Sequence, residues 1–169
     1  MHKEMFDEIK SWFETSNHAL GEKIADLGAF NINGAVKDII PKCVGFDICE
    51  GRGVDVVFTP GIIPKGHVGV YDLVFCVNAL NASPNISEFV SETSDLLKTN
   101  GILFLGYRIS NEIKHSVSPN SYKYTWRAIT NEESIKIISE FMKKFDIMSQ
   151  KRLHIQSNVE DEIVILRKK

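Results

Sequence analysis

Two glycines and an aspartate have the types and spacing of a ligand site. A loop that begins at Gly28 and ends at Gly34 follows a short apolar segment, and Asp47 comes 19 residues after Gly28, at the end of a second apolar segment. Glycine lacks the Cβ atom that would keep a ligand away from the backbone. A carboxylate in the place of Asp47 can accept hydrogen bonds from both hydroxyls of a ribose. Together these residues predict a site for a nucleoside-containing ligand.

The sequence of this loop distinguishes between the common nucleoside-containing cofactors. Ala29 and Phe30 stand where a dinucleotide-binding G-x-G-x-x-G loop needs room for a pyrophosphate, so NAD and FAD are disfavoured. The chain contains no G-x-x-x-x-G-K-[ST] motif, which excludes a P-loop. S-adenosylmethionine remains, because it carries an amino-acid moiety in place of phosphates. Asp26 is then the predicted partner of its ammonium group, through a water molecule.

A parallel sheet would bring these residues to one edge, because ligands bind at the carboxyl ends of its strands. Short apolar segments separated by helical patterns predict βαβ units. The helix after Gly34 is expected to present free N–H groups to the ligand and to stop at Pro41. Strands are predicted at residues 23–27, 42–47, 54–58, 71–77 and 102–107, and helices at residues 3–17, 34–40 and 85–98.

The last third of the chain predicts one more helix and two strands. Thr130 or Asn131 can cap the helix, and helical spacing predicts a core face made of Ile135, Ile138, Phe141 and Met142. Residues 145–155 and 162–167 form strands with no helix between them, so they must pair antiparallel. The predicted fold class is α/β: a Rossmann-like, seven-stranded, mostly parallel sheet with helices on both faces and an antiparallel C-terminal hairpin. A nicotinamide-binding Rossmann domain does not normally end in such a hairpin.

Composition disfavours several classes of protein and partner. The chain has 20 basic and 22 acidic residues, so it lacks the global positive field that holds a nucleic-acid backbone. Cys43, Cys49 and Cys76 show no paired spacing, which disfavours a disulfide framework or a metal site and favours a cytoplasmic location. No apolar run reaches the ~18 residues that cross a bilayer, and the polar N-terminus does not resemble a signal peptide.

Several motifs in order resemble a branch of the class I S-adenosylmethionine (SAM)-dependent methyltransferases, the type 11 methyltransferase domain. That branch has Asp-x-Gly-Ser followed by Asn-Gly in its first motif, Gly-x-Asp at the end of its second strand, and then Gly-x-Gly-Val-Asp. It also has a Leu-Leu-Lys-x-Gly-Gly motif before its fifth strand. The matching segments here are residues 26–34, 44–48, 51–57, 71–74 and 96–103. The resemblance covers about residues 23–107.

The resemblance implies roles for individual residues on the cofactor side. Asp26, Gly28 and Ala29 would hold the methionine end, Asp47 the ribose, and Ile48 one face of the adenine. Thr59 stands after the third strand, where the family often has an acidic residue for the adenine amine. The remaining cofactor-side candidates lie in the first loop and around the end of the fourth strand: Phe30, Asn33, Gly34, Cys76 and Asn78.

The acceptor side is predicted to follow the fifth strand. The family's loop before its last helix is matched there by Tyr122, Tyr124, Trp126 and Arg127. If the acceptor atom is oxygen, the candidate general bases are His67 and His115. The loop after the fourth strand lacks the Asn/Asp-Pro-Pro-aromatic motif typical of methylation of nucleic-acid bases, so a small-molecule or glycan acceptor is preferred. No metal is predicted.

The length of 169 residues predicts a single domain. Residues 1–20 would form an N-terminal helix, residues 23–107 the cofactor-binding core, and residues 108–169 the acceptor-side loop, last helix and hairpin. This leaves no room for a lid, so the acceptor site would be open or completed by a partner chain or homodimer. Two other functions stay open: a SAM-binding or inactive methyltransferase-like partner subunit, and a nicotinamide-binding module.

Overall fold

The computed structural model describes residues 3–16, 22–31, 34–111 and 127–169, and its centre is one seven-stranded sheet. The strand order is β3-β2-β1-β4-β5-β7-β6. The strands are β1 (Ile24–Leu27), β2 (Val44–Asp47), β3 (Val56–Val57), β4 (Tyr71–Val77), β5 (Leu97–Ile109), β6 (Phe145–Gln156) and β7 (Val159–Lys168).

Strands β1 to β5 run parallel, and β7 pairs antiparallel with both β5 and β6. The predicted C-terminal hairpin is therefore confirmed, with Asn158 in its turn at φ 64°. Because β7 lies between β5 and β6, the order differs from the 3-2-1-4-5-6 arrangement of the dinucleotide-binding fold. The topology thus disfavours the nicotinamide-binding alternative.

Helices cover both faces of the sheet, as predicted. On one face, α1 (Lys3–Thr15) buries Met5 and Ile9, and the ring of Trp12 meets those of Phe75 and Phe104 edge-on at 6.0 and 5.2 Å. On the other face, α2 (Ile86–Leu96) and α3 (Asn131–Met142) pack on a second apolar cluster. None of the described helices has the length and apolar character needed to cross a membrane.

The helix predicted between Gly34 and Pro41 is wrong, because only a 3-10 turn forms there, at Val36–Asp38. Pro41 disfavours the α conformation for the residue before it, and β2 begins at Val44, so the segment is too short for a stable α-helix. The side chains of Asn31 and Asp38 accept the N–H groups of Gly34 and Ala35 at 2.8 and 3.0 Å. These two N–H groups are therefore bonded within the turn.

The predicted core face of α3 is also partly wrong. Ile135 is 70% exposed and Met142 51% exposed, whereas Ile137 and Phe141 are buried. Ser134 turns toward the sheet with them, because its hydroxyl bonds the Tyr107 hydroxyl at 2.9 Å and Glu162 at 3.3 Å. The buried stripe of α3 is therefore Ser134, Ile137 and Phe141, and of the predicted face Phe141 is buried and Ile138 is partly buried against the core.

Helix α2 runs into β5 without a loop, and a lysine from the last strand caps the junction. β5 begins at Leu97, five residues before its predicted start, and Lys168 Nζ donates to the carbonyls of Ser94 and Leu97 at 2.6 and 2.7 Å. The last carbonyls of a helix have no partner within the helix. Lys168 therefore satisfies the C-terminal end of α2.

Replacing Lys168 with methionine is expected to lower the free energy of unfolding by about 1.5 kcal/mol, because two carbonyls lose a charge-assisted hydrogen bond. Lys143→Met is the matched control, since Lys143 is 65% exposed and pairs only with Glu140 on the same helix among the contacts described. The control should change stability by less than about 0.5 kcal/mol. Urea denaturation measures both values, and equal effects would contradict the capping role.

Candidate functional site

Four of the predicted site residues meet where the strand order reverses. β1 lies between β2 and β4, and the connections from β1 and β4 leave the sheet in opposite directions, which is where open α/β sheets bind ligands. Asp26 and Gly28 lie at the end of β1, Asp47 ends β2, and Asn78 follows β4. The parallel register therefore brings together residues that are up to 52 positions apart in the sequence.

The Asp47 carboxylate is held by backbone N–H groups from both neighbouring loops. Oδ2 accepts from Phe30 at 3.1 Å, and Oδ1 accepts from Ile48 and Cys49 at 2.8 and 3.2 Å. Burial raises the pKa of Asp47, and these three bonds act against that rise. Since a carboxylate has about four acceptor positions, Oδ2 can accept one more hydrogen bond. Asp47 therefore keeps the capacity to accept one further donor, such as a hydroxyl.

Asp26 is a buried carboxyl in the centre of the sheet edge. It is 4% exposed, and burial raises its pKa to about 7, although the N–H of Val36 donates to it. The negative charge of Asp47 adds to the rise and Lys37 lowers it. A carboxyl with this pKa changes its charge near neutral pH, and a cationic ligand group beside it favours the ionised form.

Asn78 presents a polar atom that the described residues leave unsatisfied. Its backbone has φ 62°, and its N–H donates to the Gly106 carbonyl at 2.8 Å. Its Oδ1 is buried and accepts no hydrogen bond from the described part of the chain. Such an atom costs about 1–3 kcal/mol. Asn131 Oδ1 is unpaired in the same way at the start of α3, but only Asn78 lies at a strand end beside Asp26 and Asp47, where a hydrogen-bond donor from a ligand would satisfy it.

Gly28 allows the loops after β1 and β4 to touch. It has φ +88°, and a Cβ on it would lie 2.2 Å from the Cβ of Ala79. The N–H groups of Gly28 and Ala29 both donate to the Phe46 carbonyl, at 2.8 and 3.0 Å. The glycine therefore serves close packing between two protein loops, and its N–H group is already bonded.

Phe30 and Ile48 both donate their backbone N–H groups to Asp47, from the loops after β1 and β2. A Cβ on Gly51 would lie 2.0 Å from Phe30 Cε2, so the Phe30 ring covers the loop after β2. Ile48 is half-buried against the core beside Asp47. Gly34 has φ +104°, a backbone conformation that residues with an L side chain rarely adopt.

Two other cofactor-side candidates differ in position: Thr59 lies after β3, whereas the thiol of Cys76 accepts the N–H groups of Ala79 and Leu80 in the loop after β4. Thr59 is exposed in a turn closed by the N–H of Ile62 on its carbonyl at 2.9 Å. Cys76 is completely buried in the core, and burial raises the pKa of its thiol. No group of three or more metal-ligating side chains occurs in the residues that the structure covers.

The described side-chain contacts of His67 are with Tyr71 and Phe46, and the structure shows none with Asp26, Asp47 or Asn78 among the described residues. Its Nδ1 lies 2.7 Å from the hydroxyl of Tyr71, the first residue of β4, and its ring meets that of Phe46 edge-on at 5.0 Å. The beginning of β4 is at the opposite edge of the sheet from the ends of β1 and β2. The other candidate base and four further predicted residues lie outside the described residues: His115, Asn33, Tyr122, Tyr124 and Trp126.

Arg127, which was predicted to lie on the acceptor side, is paired within the protein. Its Nη1 donates to both carboxylate oxygens of Glu133 at 2.8 and 2.9 Å, which lowers the pKa of Glu133. Its backbone bonds Asn81, a residue that the sequence patterns did not assign to the site. Asn81 is 2% exposed and follows Asn78 by three residues. A polar residue so close to a strand end was the available signal.

Comparison with known proteins identifies the fold. No family model matches the chain, and no curated protein sequence matches it. A SAM-dependent methyltransferase from Methanosarcina mazei has a TM-score of 0.67 and 13% identity, over 92% of this chain and 96% of that chain. The 1,6-didemethyltoxoflavin-N1-methyltransferase of Burkholderia thailandensis, solved with 1,6-didemethyltoxoflavin and S-adenosylhomocysteine, has a TM-score of 0.64 and 13% identity, over 98% and 89%.

The (4+2)-cyclase SpnF is also similar, with a TM-score of 0.68 and 12% identity over 96% of this chain and 81% of that chain. Together with the strand order, these likenesses show that the chain has the fold of the class I SAM-dependent methyltransferases. This confirms the fold that the motifs predicted. At 11–13% identity, including a structure from Pyrococcus horikoshii, the likeness concerns the fold, and function has to be argued from the site.

Proposed function

We propose that the protein binds SAM at the ends of β1, β2 and β4 and transfers its methyl group to a small-molecule or glycan acceptor. The observation that carries the proposal is the buried, unpartnered Oδ1 of Asn78 at the strand ends where the Asp26 and Asp47 carboxyls also lie. SAM brings hydrogen-bond donors to this edge, an ammonium group and two ribose hydroxyls. Three buried acceptors are available to them, so the donor set of the cofactor fits the residues present.

In this proposal each side chain binds or orients. Asp26 in its ionised form stabilises the ammonium, Asn78 accepts a hydrogen bond through Oδ1, and Asp47 accepts one through Oδ2. Bound SAM supplies a methyl group activated by a sulfonium, with a neutral thioether as the leaving group. Holding the acceptor aligned at ~3–3.5 Å from the reacting carbon accounts for much of the catalysis in such transfers, so a general base is not required for every acceptor.

Calorimetry with SAM, S-adenosylhomocysteine and NADH tests the proposal. We expect micromolar binding of SAM by the wild type and at least a ~30-fold weaker affinity for Asp47→Ala, since the hydroxyls lose an acceptor that carries charge. Asp72→Ala is the matched control, because Asp72 also accepts a backbone N–H, from Lys23 at 2.9 Å, but lies at the beginning of β4. Its affinity should stay within about threefold. Tight binding of NADH without SAM would overturn the proposal.

The proposed acceptor class rests on two features of nucleic-acid methyltransferases that this chain lacks: a positive charge and the motif for methylation of bases. The net charge is −2, and no Pro-Pro-aromatic motif follows Asn78. We further propose that a partner chain, or a second copy of this chain in a homodimer, completes the acceptor site. Incubation with methyl-labelled SAM and small-molecule or glycan extracts should label a small product, whereas label found only in nucleic acid would contradict the acceptor class.

A second candidate is a SAM-binding partner subunit without turnover. It is favoured by the adenine side of the site, where Thr59 is exposed and stands in place of the acidic residue that the resembled family often has. The similarity to a cyclase also indicates that this fold carries other reactions. Binding of SAM with no labelled product from any extract favours this candidate, and a labelled product excludes it.

A further inference from the structure

The buried amide of Asn81 joins three parts of the chain. Its Nδ2 donates to the carbonyls of Arg108 at 3.0 Å and Arg127 at 2.8 Å, and its Oδ1 accepts from the N–H of Arg108 at 3.0 Å. Its own carbonyl accepts from the N–H of Arg127 at 3.1 Å. Both amide hydrogens are therefore used, and the side chain is held at three points.

The two partners of Asn81 mark the two ends of the acceptor-side segment. Arg108 is the last residue but one of β5, and Arg127 precedes α3. These ends are also paired with each other, since Ile129 donates to the Arg108 carbonyl and accepts from the N–H of Ser110, both at 3.0 Å. Between them in the sequence are the predicted acceptor-side residues Tyr122, Tyr124 and Trp126.

Asn81 is also continuous with the cofactor side. It lies in the 3-10 turn Leu80–Ala82, closed by the N–H of Ala82 on the Ala79 carbonyl at 2.9 Å. Ala79 is the residue that touches Gly28, and Asn78 carries the unpartnered Oδ1. A ligand that donates a hydrogen bond to Asn78 therefore contacts the short, tightly turned loop after β4. Asn81 is the next residue of this loop whose side chain is held by hydrogen bonds.

We propose that Asn81 is a positioning residue that ties the ends of the acceptor-side segment to the loop that contacts the cofactor, so that occupancy at Asn78 orders Arg108 and Arg127. The inference rests on the proposed function, because it needs a ligand at Asn78. Only an amide suits this position, because an aspartate of the same shape has no donors and would place a carboxylate against the Arg108 and Arg127 carbonyls.

Hydrogen exchange with and without saturating S-adenosylhomocysteine tests this role. In the wild type, the ligand is expected to slow hydrogen exchange at least ~10-fold at the amides of Arg108, Ser110, Arg127 and Ile129. The reason is that amides exchange through local opening, which becomes rarer when the two ends of the acceptor-side segment are ordered. In Asn81→Asp the ligand should bind within about threefold of wild type, but the slowing at these amides should be lost. If Asn81→Asp does not fold, Asn81→Ala removes the two donated bonds and also the bond accepted from the Arg108 N–H, without adding a charge.

Asn85→Ala is the matched control, because Asn85 caps α2 through the N–H of Glu88 at 3.2 Å and has no described bond to the acceptor-side ends. It should reduce stability and keep the ligand-dependent slowing. Slowing that persists in Asn81→Asp and Asn81→Ala would overturn the inference, as would a loss of affinity as large as that of Asp47→Ala. If the wild type binds no S-adenosylhomocysteine, the proposed function fails and the inference fails with it.

Discussion

Alanine in place of Gly28 is expected to lower the free energy of unfolding by about 3 kcal/mol, because overpacking and a left-handed backbone each cost ~1–3 kcal/mol. The added methyl group would lie 2.2 Å from Ala79 Cβ, on a residue at φ +88°. Neither atom is the end of a flexible side chain, so the two loops have to move apart. Chemical denaturation monitored by circular dichroism gives the difference.

A glycine in open space provides the control. A Cβ on Gly66 meets nothing within 4 Å, and its φ is outside the left-handed region. Gly66→Ala should therefore be neutral or stabilising by about 0.5 kcal/mol. Equal effects at Gly28 and Gly66 would show that the loops after β1 and β4 do not pack as described.

The double variant Gly28→Ala/Ala79→Gly separates the two causes. Removing the Ala79 methyl group relieves the contact but leaves the backbone strain at residue 28. We expect a coupling free energy of at least ~1 kcal/mol between the two changes, the range found for residues in direct contact. Additive effects would assign the whole cost to the backbone. Variants that move the loops after β1 and β4 apart should also bind S-adenosylhomocysteine more weakly than wild type. The loss of affinity should be larger where the two loops are further apart.

The charge of Asp26 is expected to make stability depend strongly on pH. Burial raises the pKa of Asp26 from the ordinary 3.8 to about 7, which corresponds to ~4 kcal/mol between its two forms. Between these values the folded protein binds a proton that the unfolded chain does not bind. The contribution of Asp26 to the free energy of unfolding is therefore fully present below pH 3.8 and is lost as the pH rises through about 7.

Asp26→Asn removes this dependence. Asparagine keeps an oxygen that can accept the N–H of Val36 but cannot ionise. Relative to wild type, the variant should gain about 3 kcal/mol more stability at pH 8 than at pH 5. Urea denaturation across this range measures the difference. A constant difference between the two proteins would mean that Asp26 is already ionised at pH 5.

The same residue should link binding to pH under the proposed function. An ammonium group favours the ionised carboxyl, so the affinity of wild type for S-adenosylhomocysteine should rise with pH up to about 7, by as much as ~10-fold per pH unit below it. Calorimetry on wild type and Asp26→Asn gives both profiles, and the difference between them isolates Asp26 from the titration of the ligand. Identical profiles would place the ammonium away from Asp26.

Much of the fold follows from local sequence patterns. The short apolar segments alternating with helical segments predicted the parallel strands, and the absence of a helix between the last two strands required the antiparallel pair β6 and β7. Asp26 and Asp47 could be assigned to one edge because the carboxyl ends of parallel strands share an edge. These statements depend on spacing along the chain, which the sequence contains.

Contacts between distant residues were decided by the tertiary structure. Helix α3 has two stripes with helical spacing, and the structure buries the one in which Ser134 bonds Tyr107 and Ile137 packs on the core, which leaves Ile135 exposed. Gly28 was predicted to make room for a ligand, but its neighbour is Ala79, 51 positions later.

The only sequence signal for Asn81 was a polar residue close to a strand end, and its bonds could not be predicted because its partners lie 27 and 46 positions later in the chain. The sequence by itself therefore determined the succession of strands along the chain and the edge that carries Asp26 and Asp47. The packing of loops from separate strands decided which groups at that edge are already bonded and which remain available, since hydrogen bonds and steric contacts depend on distances that local periodicity does not specify.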